Sequence, residues 1–186
     1  MGNPVGALNC RFDTNNQNWQ CDCLLPRMVQ KLWELIKDIK IAMLTTEDEG
    51  GVLRSRPMAT QQVEFEGDLW FFTSVSSKKV REAATHDEVN LSYADPGSNK
   101  YVSVSGTASL VRDAVKAKEL WNPIYKAWFP KGLEDPNLAL LKVEVHKAEY
   151  WDSPSSAMVQ LAGFLKAVAT GQSYQPGPGE HGTIGR

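Results

Sequence analysis

The chain has little of what marks several common function classes. It has three cysteines, Cys10, Cys21 and Cys23, all within its first 23 residues. No second Cys or His pair follows at zinc-ligand spacing, so they read as free thiols rather than half of a metal site. The three histidines, His86, His146 and His181, are scattered and suggest neither a catalytic triad nor a metal cluster. No apolar run is long enough to span a bilayer, and the N-terminus lacks the basic-then-apolar pattern of a signal peptide. A soluble, cytoplasmic protein with no membrane partner is the expectation. No GxGxxG follows a strand pattern, which argues against a dinucleotide-binding βαβ unit. The net charge of −2 and the pI near 5.9 leave no basic footprint for nucleic acid.

What remains is an ordinary globular composition, 42% apolar and 23% charged over 186 residues, enough for one domain with extensions. Residues 1–26 are rich in Asn, Gln and Gly without an apolar period and read as a disordered extension. Met28, Val29, Leu32, Trp33, Leu35 and Ile36 then give one face of a helix. Strands are expected at 39–46, 52–63, 69–74, 88–93, 101–111 and 138–151. Pro57 puts the second of these at an edge or a bulge, because proline donates nothing to a ladder. Helices are expected from Lys78 and from Asp113. A last one, over 156–170, would carry Met158, Leu161, Ala162, Leu165 and Val168. Residues 171–186 read as a flexible tail. Six strands joined mostly by short turns must pair antiparallel, and closure hides their edges. The reading is mainly β (α+β): a six-stranded antiparallel split β-barrel over 27–155 with peripheral helices.

Charge is concentrated in two places. Arg54-Ser55-Arg56-Pro57 lies on a strand, with both arginines on one face. Ser77-Lys78-Lys79 opens a helix, where lysines are disfavoured by the helix dipole unless an anion compensates. Unpaired N–H groups at a helix start and an arginine fork both suit phosphate. If the two strands pair as a hairpin, these charges converge on one anion. The competing reading is a solvated basic patch paired with Glu64, Glu66 or Glu82. Trp70, Phe71 and Phe72 read first as core.

The order of Ser55-Arg56-Pro57-Met58, Phe71-Phe72-Thr73-Ser74, Ser77-Lys78-Lys79-Val80 and Tyr101-Val102-Ser103-Val104-Ser105-Gly106-Thr107-Ala108 resembles the FMN-binding split barrel of the pyridoxamine 5′-phosphate oxidase superfamily. Leu120 to Pro130 and the closing Val143 to Trp151 resemble its general stress protein 26 branch. The resemblance, over about residues 27–165, implies a homodimer with FMN between subunits, FAD being the alternative cofactor. It implies that Arg56, Lys78 and Lys79 hold the phosphate with Ser77 adding a hydroxyl or N–H. Pro57, Met58, Ala59, Gln61, Phe72 and Thr73 would line the ring through backbone groups, and Tyr101 and Trp151 would reach the cofactor. The oxidase's lysine is replaced by Gln61, and its substrate-reading arginine and histidine fall near Ala157. A flavin-contacting arginine is replaced by Leu161. Pyridoxal phosphate synthesis is therefore not expected. The implied function is a flavin-dependent oxidoreductase using NAD(P)H or a small-molecule substrate. Its rival is a flavin-binding stress protein that acts as carrier or sensor without turnover.

Overall fold

The computed structural model describes residues 10–13, 18–21, 24–61, 67–152 and 181–185. Nine strands, three α-helices and two 3₁₀ turns occur among them. A short hairpin, β1 (Cys10–Asp13) with β2 (Asn18–Cys21), stands where the sequence suggests a disordered arm. Helix α1 (Leu24–Ile36) follows.

One antiparallel sheet forms the body. It contains β3 (Ile41–Glu47), β4 (Leu53–Ala59), β5 (Asp68–Ser74), β6 (Glu88–Asp95), β7 (Lys100–Val111), β8 (Leu138–Asp152) and β9 (His181–Gly185). The order across it is β4-β3-β6-β7-β8-β5, with β9 also on β8. The fold is mainly antiparallel β with helices, as expected and consistent with a split-barrel-like arrangement, but the ladder is not closed into a barrel. One expectation is corrected: β4 and β5 do not pair as a hairpin. They are the two outer strands, touching each other without ladder bonds. The strand carrying Pro57 is an edge, as its missing donor requires.

Alternation decides the core. Ala42 and Leu44 on β3, Leu91 and Tyr93 on β6, Val102 and Val104 on β7, and Phe71 on β5 all point to one face. Leu32, Leu35 and Ile36 of α1 pack onto it, so the helix buries the face that the curled sheet leaves open. On the opposite side of β5 and β8, helix α3 (Ala114–Leu120) covers Leu140, Trp70 and Phe72 with Ala117 and Leu120. Its start is set by Asp113, whose carboxylate accepts from Val115 N at 2.8 Å and Lys116 N at 2.9 Å. Asp113→Ala should cost about 1 kcal/mol, seen as a melting temperature lower by about 2–4 °C. An unchanged melting temperature would mean the cap is idle.

Strand β8 contains the irregularity that matters most for position. Ser105 pairs with Lys147, but Gly106 pairs with Val145, so His146 is an extra residue. Before this bulge the odd residues Leu141 and Val143 face the core; after it Ala148 does, and Trp151 turns outward. A bulge that flips the phase of a strand in this way re-aims every side chain beyond it. The last helix expected, over 156–170, lies outside the described residues, as do Glu64, Glu66, Ala157 and Leu161. No helix among the described residues is long and apolar enough to cross a membrane. The expected loose tail instead includes β9, paired with β8 from Lys147↔Gly185 to Trp151↔His181.

Candidate functional site

The basic residues meet, though not by the expected route. Register puts Arg56 opposite Leu44, on the inner face of β4 and at its rim. From there its guanidinium crosses β3 to helix α2 (Lys78–Thr85), which packs under β3 and β7. Arg56 Nη2 donates to Glu82 Oε2 at 2.7 Å, and Nη1 donates to Thr46 Oγ1. Thr46 in turn donates to the same Glu82 oxygen at 2.6 Å. Thr46 and Glu82 are buried, and Arg56 keeps 21% of its side chain exposed. The pairing with Glu82 is one of those the rival basic-patch reading named. Together the bonds to Glu82 and Thr46 occupy two of the five N–H donors of the guanidinium and leave three. Arg54 lies opposite Thr46 and its charge also reaches Glu82, but its Nε is paired with Asp48 in the preceding turn at 2.8 Å.

Burial alone would push the Glu82 carboxyl upward, but the Thr46 hydroxyl and the Arg56 guanidinium outweigh it and hold it below its ordinary value of 4.5. A depressed folded-state value contributes stability that is present above the unfolded value and lost as pH falls through the folded one. The parent should therefore lose stability from about pH 5 downward. Glu82→Gln, which cannot titrate, should lose less over the same interval. Urea unfolding at pH 7 and pH 3 reads this, and equal losses in both proteins would contradict it.

Lys79 shows the opposite situation. Its half-buried ammonium is pushed down by burial and then by the neighbouring Arg56 guanidinium. It forms no ion pair among the described residues. The helix start beside it is equally open. Ser77 has the extended backbone of an N-cap, φ −68° and ψ 147°, but its side chain caps nothing. The Ser77 hydroxyl lies 3.3 Å from that of Thr73, which is buried on β5. The N–H groups of Lys78 and Lys79 find no acceptor among the described residues. Thus Arg56, Thr73, Ser77 and Lys79 are brought to one corner. Lys78 is exposed at its mouth.

The other expected site residues fall in three further places. Gln61 Nε2 donates to the Tyr125 hydroxyl at 3.1 Å, and the Tyr125 ring lies 4.7 Å from that of Phe72. Trp121 meets Phe72 edge-on at 5.6 Å. Gln61 and Phe72 are therefore joined, through aromatic packing, where the two sheet edges approach. Trp128 stands out in solvent, 67% exposed. Met58 is buried in the core, Pro57 is exposed and Ala59 half-buried; β4's free edge keeps backbone groups outside the ladder. Tyr101 and Trp151 are directly opposite each other on β7 and β8, both on the outer face. Tyr101 lies three strands across from Arg56, three residues down from Val104, which is level with it, and on the other side of the sheet. Within one copy, the phosphate corner and the Tyr101–Trp151 pair do not meet. A shallow groove of about 210 Å³ between Val111, Ala114, Leu133 and Leu138 touches none of these residues.

Residues 27–175 match the family model described as pyridoxamine 5′-phosphate oxidase like. The chain belongs to that family. Protein bli-3 of Neurospora crassa is 31% identical over 165 residues, covering 83% of this chain and 79% of that one. The general stress FMN/FAD binding protein of Xanthomonas citri is 31% identical, with a TM-score of 0.58, covering 68% of this chain and 89% of that one. The general stress protein 26 of Bacillus anthracis str. Sterne, at 24% identity and TM-score 0.59, shares the fold over 67% of this chain and 93% of its own.

Three features of the site escaped the sequence reading. The Arg56–Thr46–Glu82 triangle joins residues 10 and 26 positions from Arg56, with no local pattern to announce it. The bulge at His146 interrupts what reads as unbroken alternation. His181, which stacks on Trp151 at 5.2 Å, sits in a segment with only a faint strand signal, Thr183-Ile184 between glycines.

Proposed function

We propose that this chain binds FMN, holds its terminal phosphate at the Arg56–Ser77–Lys79 corner, and works as a flavin-dependent oxidoreductase. The observation that carries the reading is Lys79: a half-buried ammonium beside a guanidinium, without a carboxylate, at an uncapped helix start. Such an arrangement costs free energy until an anion arrives. Three cations (Arg56, Lys78, Lys79) less one carboxylate (Glu82) leave two positive charges, the match for a phosphomonoester dianion. FAD carries a pyrophosphate diester instead, so FMN is the better fit and FAD the alternative. The likeness to a general stress FMN/FAD binding protein supports a flavin here.

Thr46 and Glu82 would hold Arg56 in place before the ligand arrives, so little side-chain entropy remains to be lost on binding. The free edge of β4 near Pro57, Met58 and Ala59, together with Gln61, Phe72 and Thr73, would line the ring. Tyr101 and Trp151 would face a ring held by a second copy. This explains why the two halves lie apart in one chain and why Ile41, Met43, Tyr101 and Trp151 leave apolar surface exposed on one outer face. A homodimer that covers that face would complete two sites. The bound flavin would supply the electron chemistry, while the chain binds, orients and shields it.

An absorbance spectrum of the purified protein titrated with FMN tests binding. Reduction of the bound flavin by NAD(P)H, followed by reoxidation with an added acceptor, tests turnover. Binding without reduction by any donor would favour the carrier or sensor reading. A flavin spectrum that the protein leaves unperturbed at saturating FMN would end both.

A further inference from the structure

Strand β9 fills the edge of β8 that β5 leaves free: β5 pairs with residues 138–144 and β9 with 147–151. Two of its five residues are glycine, and each answers a close approach. A Cβ on Gly182 would stand 2.6 Å from the Tyr150 hydroxyl oxygen and 2.7 Å from the ring carbon that carries it. A Cβ on Gly185 would stand 2.5 Å from the His146 carbonyl oxygen, and its φ of +128° favours glycine as well. Between them Ile184 enters the core at 9% exposure. The strand is shaped to the bulged half of β8. Its first residue, His181, lies opposite Trp151 with the two rings 5.2 Å apart and 25° from parallel. Three adjacent strands thus line up Tyr101, Trp151 and His181 on the outer face, all exposed.

We propose that His181 is a ligand contact on the ring side of the flavin site, held there by β9. This rests on the assignment of Tyr101 and Trp151 to that side. The indole offers a flat apolar surface and a single donor. A neutral imidazole adds one donor and one acceptor. That pair suits a planar heterocycle whose edge alternates carbonyl and imide N–H, as the pyrimidine edge of a flavin does.

The test is a set of dissociation constants for FMN and for riboflavin, in the parent and in His181→Ala, His181→Phe and Gly182→Ala. A ring-side contact predicts that His181→Ala weakens both ligands by the same factor, about 5–10-fold. His181→Phe keeps a ring on Trp151 but no nitrogen, and should be as weak as the alanine variant. Gly182→Ala keeps His181 but pushes β9 off Tyr150, and should lose affinity for both ligands too. In the flavin-free protein, His181→Ala should shift the tryptophan emission, and the shift should vanish in a Trp151→Phe background. Unchanged constants for both ligands, a loss confined to FMN, or full recovery with phenylalanine would each overturn the assignment of His181. A parent that binds neither flavin would instead remove the reading of the site on which it rests.

Discussion

Replacing Arg56 and Lys79 together by alanine is expected to raise the dissociation constant for FMN by about 100-fold or more, with riboflavin unchanged within about twofold. Hydrogen bonds to charged groups contribute about 1.5–3 kcal/mol each, and about 1.4 kcal/mol is a factor of ten. Two such contacts removed give at least two decades. Riboflavin has the ring but no phosphate, so it should not notice. One complication can be designed out. Arg56→Ala strands the buried Glu82 carboxylate, which loses its 2.7 Å partner and would disturb α2 by itself. In a Glu82→Gln background that penalty is absent, and the loss of FMN affinity should persist. Titration of both ligands by flavin fluorescence reads the result. Parallel losses for FMN and riboflavin would mean that the corner does not bind phosphate.

The second large effect is on folding. Gly106→Ala should destabilise the protein by about 2–3 kcal/mol, lowering its melting temperature by about 5–10 °C. A Cβ at this position would lie 2.1 Å from the Glu144 carbonyl oxygen and 3.0 Å from its carbon, which are backbone atoms that cannot rotate aside. The glycine sits where the β7–β8 register slips by one residue. Relief of the clash must therefore open the bulge or shift the strands. Either change would act on the half of β8 whose phase puts Trp151 outward and Ala148 in the core. The tryptophan emission should change along with the melting temperature. A normal melting temperature would show that the two strands tolerate more separation here than their geometry implies.

Much of the strand layout was legible because each strand carries its own signal. Tyr101 to Val111 alternates cleanly, and Val102, Val104 and Ala108 are indeed buried. Pro57 pointed to an edge or a bulge, and β4 is an edge. Helices α2 and α3 start where a cap residue suggested, whereas α1 starts at Leu24, inside the stretch that reads as an extension. What the pattern could not reveal was which strands become neighbours. Adjacent strands in the chain read as a hairpin, yet β4 and β5 end up on opposite borders of the sheet. Their charges converge because α2, which follows β5, packs beneath β3, next to β4. Phase was the other hidden quantity. The alternation through Leu141, Val143 and Val145 gives no hint that His146 is skipped, since the cause lies on the facing strand, at Gly106. Likewise, two glycines in five residues look like a loose tail until Tyr150 and the His146 carbonyl are seen beneath them. The corner at Arg56 was partly legible. The basic residues were visible, but the Thr46 hydroxyl that ties Arg56 to Glu82 was an unremarked strand residue.

The central claim is that the corner formed by Arg56, Ser77 and Lys79 receives the phosphate of a flavin. Side-by-side equilibrium titration of the unmodified protein with FMN and riboflavin, with and without inorganic phosphate, tests it most directly. FMN should bind at least about 10-fold more tightly than riboflavin, as a charge-assisted phosphate contact implies, and inorganic phosphate should compete with FMN alone. Equal affinities for the two flavins, unaffected by phosphate, would contradict the account.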